Sequence, residues 1–173
     1  GKISILKNIE TSKIKTDRII PNSFLSFLSF SINNSERFIF NFKDYLQYND
    51  LSTENLNFNS LNIVDEISFV EDQEKFVILN LINKDQVDSY FNLEEHDDTY
   101  NISKISLDED LKILFKNIDN EISGEYAALI GNLLIITKSV LQLKKIINSQ
   151  NINDNLGSNN EYSSFKEQKS DSY

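Results

Sequence analysis

A chain of 173 residues, 39% hydrophobic and 25% charged, is long enough to bury one core and too apolar for wholesale disorder. Its net charge of −10, with basic residues outnumbered and dispersed, argues against the clustered cations that a phosphate backbone or an anionic lipid surface requires, so nucleic acid is not an expected partner. With no cysteine it has no disulfide, no thiolate metal site and no cysteine nucleophile, and no apolar run approaches the roughly 18 residues of a membrane span, so no membrane insertion by this segment is expected.

Taken in chain order, Lys2 to Asp17 mixes Ile3, Ile5, Leu6 and Ile9 with polar residues and reads as a strand followed by a connector. Pro21-Asn22 punctuates a boundary. Phe24 to Ile32 is the clearest strand of the first half: Leu28, Phe30 and Ile32 share one face, while Leu25 and Phe27 place apolar groups on the serine face as well. That predicts a central strand, covered on both sides at its start. Asn33-Asn34-Ser35-Glu36 supplies helix-start chemistry, and Phe38, Ile39, Phe42, Tyr45 and Leu46 follow on one helical face.

Asp50 to Ser60 is polar and Asn-rich, hence a loop. Leu61–Val70 and Phe76–Ile82 read as two strands of an antiparallel hairpin around Glu71-Asp72-Gln73-Glu74. Lys84–Phe91 is a short amphipathic helix, Asn92–Thr99 an acidic loop, and Tyr100–Leu107 a strand, whereas Leu111–Ile118 fits a strand or a helical turn. Tyr126–Ile130 and Leu133–Thr137 flank Gly131-Asn132, a two-residue hairpin whose turn demands positive φ. Ser139 caps a helix striped by Val140, Leu143, Ile146 and Ile147.

These elements predict an α+β domain over residues 1–150: an antiparallel sheet of about five to seven strands, with helices near Glu36–Gln47, Lys84–Phe91 and Ser139–Ser149 packed on one face. Residues 151–173 read as a polar Asn/Ser-rich tail or the start of a following element. The chain begins at Gly1 and contains no methionine, which suggests a segment of a longer protein whose targeting signal lies upstream.

No constellation nominates chemistry, and the expectation is no catalytic residue, no cofactor and no metal. Glu94-Glu95-His96-Asp97-Asp98 surrounds the single histidine with carboxylates, but consecutive residues rarely face one ion and the run reads as solvated. Asp108-Glu109-Asp110 and Glu71-Asp72-Glu74 read the same way. Gly131-Asn132 lacks the further glycines and the Lys-Ser/Thr pair of a phosphate loop, and no serine sits in a glycine-flanked elbow. Phe24, Phe27, Phe30, Phe38, Phe40 and Phe42 read first as core and second as the lining of an apolar pocket. Asn33-Asn34-Ser35 and Asn101-Ile102-Ser103 match the glycosylation pattern, which carries meaning only in a eukaryotic secretory setting.

The run from Glu121 to Ser139, in which Tyr126-Ala127-Ala128-Leu129-Ile130 precedes Gly131-Asn132 and Leu133-Leu134-Ile135-Ile136-Thr137, resembles a unit of large bacterial extracytoplasmic proteins of unknown function. The helix Val140–Ile147, the stretch Leu156–Tyr162, and the upstream Phe24–Phe42 and Ile63–Ile82 segments are similar to the same family. The resemblance implies a repeat-like α+β module of a cell-envelope protein, in the periplasm or at the cell surface, and offers no catalytic residue. The resulting expectation is a non-enzymatic structural or protein-interaction module with a protein partner. The alternative is a small-molecule or lipid-binding domain with an apolar pocket near Phe24–Phe42, and a weaker third reading is a hydrolase with an unrecognised carboxylate site.

Overall fold

In the computed structural model, which describes residues 2–10 and 12–170, seven strands form one wholly antiparallel sheet. The strands are β1 (Ser26–Ser31), β2 (Val64–Glu71), β3 (Lys75–Leu81), β4 (Asn92–Asp97), β5 (Ile102–Ser106), β6 (Tyr126–Ile130) and β7 (Leu133–Thr137). Their spatial order is β1-β2-β3-β7-β6-β5-β4, so two meanders meet where β3 pairs with β7, Val77 opposite Ile136 and Asn80 opposite Leu133. The helices are α1 (Ser35–Tyr48), α2 (Val87–Tyr90), α3 (Glu109–Ile118), α4 (Val140–Asn151) and α5 (Asn160–Ser170). The expected α+β class and antiparallel sheet are found.

Each half of the sheet repeats one path. A strand leads to a helix and the chain returns through a hairpin, as β1-α1-β2-β3 and again as β5-α3-β6-β7. Both crossing helices lie on one face: Phe38, Phe42 and Leu46 of α1, with Leu111, Leu114 and Phe115 of α3, pack on Ile67, Phe69, Val77, Leu79, Leu134 and Ile136. Phe30, Phe38 and Phe42 stack in sequence at centroid separations of 5.7 and 6.4 Å, and Phe58 meets Phe42 edge-on at 5.5 Å.

Contrary to expectation, the helices do not share one face. Leu143 and Ile146 of α4 pack on Phe76, Ile78, Ala128, Leu133 and Ile135, the opposite side, together with Ile19, Ile20 and Leu156. The cause is the composition of β3 and β7, whose alternate residues are apolar in both directions, so each face needs its own cover.

Local chemistry sets the helix ends. Asn34 caps α1 by accepting from Arg37 N at 2.9 Å, and Ser139 caps α4 through Gln142 N at 3.2 Å. Asp108 accepts from Leu111 N at 2.8 Å, which resolves Leu111–Ile118 as helix rather than strand. The predicted short helix at Lys84–Phe91 is a 3₁₀ turn over Lys84–Gln86 running into α2. Gly131 has the positive φ of 58° that the β6–β7 turn needs.

Three further expectations fail. Lys2–Leu6 is a 3₁₀ turn, not a strand, because Asn41 of α1 donates to Ile5 O at 3.0 Å and Lys7 O at 2.8 Å and holds the segment against a helix. Asn92–Asp97 is strand β4, not a loop, since pairing with β5 gives its backbone partners whatever its side chains are. β1 is an edge strand, not a central one. Of residues 151–173, read as tail or following element, those described carry a 3₁₀ turn at Leu156–Ser158 and helix α5, with Leu156 buried.

Phe42→Ala, which removes a fully buried ring from this stack, is expected to lower the unfolding free energy by about 3–5 kcal/mol in urea denaturation. Phe40→Ala on the solvent side of the same helix, where Phe40 is 64% exposed, should change it by less than about 0.5 kcal/mol.

Candidate functional site

The sheet has two edges, and they differ in kind. β4 carries Glu94, Glu95, His96 and Asp97, with a register irregularity between Glu95 and Asp97. Charge and a bulge are the ordinary means of keeping a foreign strand off an edge. β1 reads Ser-Phe-Leu-Ser-Phe-Ser, without a charged side chain.

The backbone of β1 can be sorted by its pairing with β2. Ile32 N donates to Asp65 O at 2.8 Å, and the register sets Phe30 opposite Ile67 and Leu28 opposite Phe69. Alternation then turns the N–H and C=O of Phe27, Ser29 and Ser31 away from β2, toward the outside of the sheet. Leu28 on the α1 face is 53% exposed and Leu25, just before the strand, is 72% exposed, values high enough to leave both free for contact.

Two clefts follow this edge. One, of about 340 Å3, lies between Ser29, Phe30, Ser31 and Glu66 on the sheet side and Leu6, Ile9, Glu10, Ser12 and Ile14 on the other. The second, of about 170 Å3, lies at the start of β1 among Leu28, Phe69, Ile118 and Ile122. The outer wall of the first is the N-terminal chain on its way round the edge. Ile5 packs in the α1-side core and Ile19 in the α4-side core, so the residues between them pass from one face to the other.

A buried polar cluster anchors that passage. Glu66 is 1% exposed and accepts from Lys15 N at 2.8 Å, Thr16 Oγ1 at 2.7 Å and Ser29 Oγ at 2.7 Å. The hydroxyls of Thr16 and Ser68 lie 2.5 Å apart, and Lys15 Nζ pairs with Asp65. Asp17 takes Lys166 Nζ of α5 at 2.5 Å. Tyr162 joins the same group: burial, with the charge of Asp17 and a hydrogen bond to it, pushes its hydroxyl up to about 12, so it stays protonated.

The other carboxylates singled out in the sequence do not converge. Asp110 accepts from Asn57 N at 2.9 Å and Phe58 N at 2.6 Å, which holds Phe58 in its left-handed conformation at φ 54°. Asp108 caps α3 and takes Ser60 Oγ at 3.1 Å. Asp97 pairs with Lys144 at 2.7 Å, and that hydrogen bond holds its carboxyl below the usual range despite partial desolvation. Glu95 faces Asp98, whose hydrogen bond and negative charge raise its carboxyl. His96 leans on Tyr126, ring centroids 4.9 Å apart. Among the described residues, no group of three or more His, Cys, Asp or Glu side chains is placed to hold a metal ion.

The phenylalanine cluster divides between the faces. Phe24 and Phe27 lie on the α4 side, where Phe27 meets Tyr162 at 6.4 Å, whereas Phe30, Phe38 and Phe42 lie on the α1 side. Phe30 lines the larger of the two clefts and Phe27 the smaller. Of the two glycosylation patterns, Asn33 is exposed ahead of α1, and Asn101 is exposed in the β4–β5 turn with φ 52°.

Sequence reasoning missed the Glu66 cluster because Glu66 and Ser68 alternate with Ile67 and Phe69, the pattern of a solvent face. The cover comes from Thr16 and Lys166, at opposite ends of the chain. Compared with family models, curated proteins and solved structures, the chain matches none of them.

Asp72, in the β2–β3 turn, tests how such tethers work. Burial alone would raise its carboxyl, but hydrogen bonds from Lys145 Nζ at 2.5 Å and Gln142 Nε2 at 3.2 Å outweigh this and hold it below the usual range. A depressed carboxyl contributes stability above its unfolded pKa and loses it as pH falls through the folded value. Asp72→Asn is therefore expected to cost about 1–3 kcal/mol at neutral pH, by analogy with other charge-assisted hydrogen bonds. Urea melts from pH 7 downward should show the gap between variant and parent closing below about pH 4.

Proposed function

We propose that this domain is a non-enzymatic structural or protein-interaction module of a longer extracytoplasmic bacterial protein, and that the β1 edge is where it meets its partner. One observation carries the reading: both faces of the sheet's centre are filled, yet β1 keeps an uncharged, outward-facing backbone with Leu25 and Leu28 exposed beside it. A strand edge left bare of charge in so acidic a chain is a liability unless something binds there.

Asp17 and Glu66 do come together beside Tyr162, but each, like Asp72 and Asp110, accepts from donors of distant segments, which favours fastening over hydrolysis. The alternative of an apolar ligand site has in its favour the 340 Å3 cleft, at the low end of ligand-pocket volumes and with one phenylalanine of the cluster, and the 170 Å3 cleft at Phe27, below that range. Among the described residues no helix is long and apolar enough to cross a membrane. The envelope address rests on the family resemblance of the 121–139 hairpin.

Crosslinking pull-down of the tagged full-length parent from fractionated source cells is the test. The reading predicts a specific protein partner in the envelope fraction. A cytoplasmic protein that retains no partner would overturn both the interaction reading and the envelope address.

A further inference from the structure

We infer that the β1 edge accepts an extended polypeptide segment as an eighth strand, one with apolar residues at alternate positions and a Lys or Arg toward each end. This rests on the interaction reading and specifies its ligand. The backbone groups of Phe27, Ser29 and Ser31 supply the unpaired half of an antiparallel or parallel ladder, and six residues of β1 offer about 20 Å of it.

Side-chain recognition follows from what flanks the ladder. On the α1 face the start of β1 is uncovered: Leu28 stands beside the cleft formed by Phe69, Ile118 and Ile122, which suits an aliphatic side chain of the incoming strand. On the other half, Leu6, Ile9, Ile14 and Phe30 give the cleft an apolar wall, so the next alternate residue is also apolar.

Charge sets the ends. Glu10 lies in the cleft wall beside the Ser31 end, and Glu71, exposed and opposite Ser26, lies at the other. Both sit on a chain of net charge −10, so a basic residue near each end of the segment is favoured and an acidic one repelled. The same charge opposes self-pairing of two β1 edges, which would bring two such chains together.

The test uses the whole chain, isotopically labelled, and a capped heptapeptide Lys-Val-Thr-Val-Thr-Val-Lys as probe. The inference predicts saturable amide shifts concentrated on residues 25–32. It also predicts binding that is lost when one alternate set of probe amides is N-methylated, the threonine set for antiparallel docking or the valine set for parallel docking, and weakened when both lysines are replaced by glutamate. Ser31→Pro leaves an outward position on an edge strand compatible with the fold but blocks the ladder, and should weaken binding about tenfold. Ser31→Ala, which removes the same hydroxyl and keeps the N–H, should bind as the parent does.

Shifts absent from β1, unaffected by N-methylation, or centred on β4 would overturn the inference. So would a dimer of the chain alone, seen in sedimentation and abolished by Ser31→Pro. The two readings fail separately. If the probe does not dock while the parent still retains an envelope partner, the interaction reading stands and the strand-accepting edge does not. If both experiments are negative, both fall.

Discussion

The rest of the structure depends on the pairing of β3 with β7. Four consecutive residues of each, Val77–Asn80 and Leu133–Ile136, consume the free edges of two meanders and turn them into one sheet. These strands are apolar on both sides, so their pairing is stable only if both faces are covered. α1 and α3 cover one face and α4 the other, and the outermost strands left over are β1 and β4. The location of the exposed edges is thus a consequence of the seam at the centre.

Around that seam the fold is closed by carboxylates that reach across long stretches of chain. Glu66 gathers Thr16 and Ser29, Asp110 the loop at Asn57 and Phe58, Asp72 the side chains of α4, and Asp17 the side chain of Lys166. Each sits where an apolar contact would not fix direction, and each has its acceptor capacity used by donors from another segment. Acidic residues that look like surplus surface charge in the composition are in part the fastenings of the loops and chain ends. Exposed pairs such as Glu109–Lys112 contribute far less, because water screens them.

Much of the fold was legible in the sequence wherever a local rule and the tertiary context agree. The α1 and α4 stripes with their Asn34 and Ser139 caps, the β2–β3 hairpin and the Gly131 turn belong to this class. Reading failed where the context decides. Glu94-Glu95-His96-Asp97 has no apolar period, yet it is a strand because β5 pairs with it. Phe24 to Ile32 looked doubly covered, but Leu25 is exposed and the ring of Phe27 is covered by Tyr162 from the far end of the chain. The single-face placement of helices failed on β3 and β7, whose two-sided apolar runs already signalled two covered faces. The edge itself was not legible, since strand order is not written in any one strand.

The asymmetry between the edges is what gives the account its functional content. β4 is protected by its own side chains, while the β1 edge is shielded by the passage of the N-terminal chain, with clefts left along it. The most direct measurement is residue-resolved amide exchange across β1 in the free chain. The account predicts an alternating pattern: slow exchange at Leu28, Phe30 and Ile32, which donate to β2, and fast exchange at Phe27, Ser29 and Ser31. Uniform protection along β1, with Ser29 and Ser31 as slow as Phe30, would show the edge to be already paired and would contradict it.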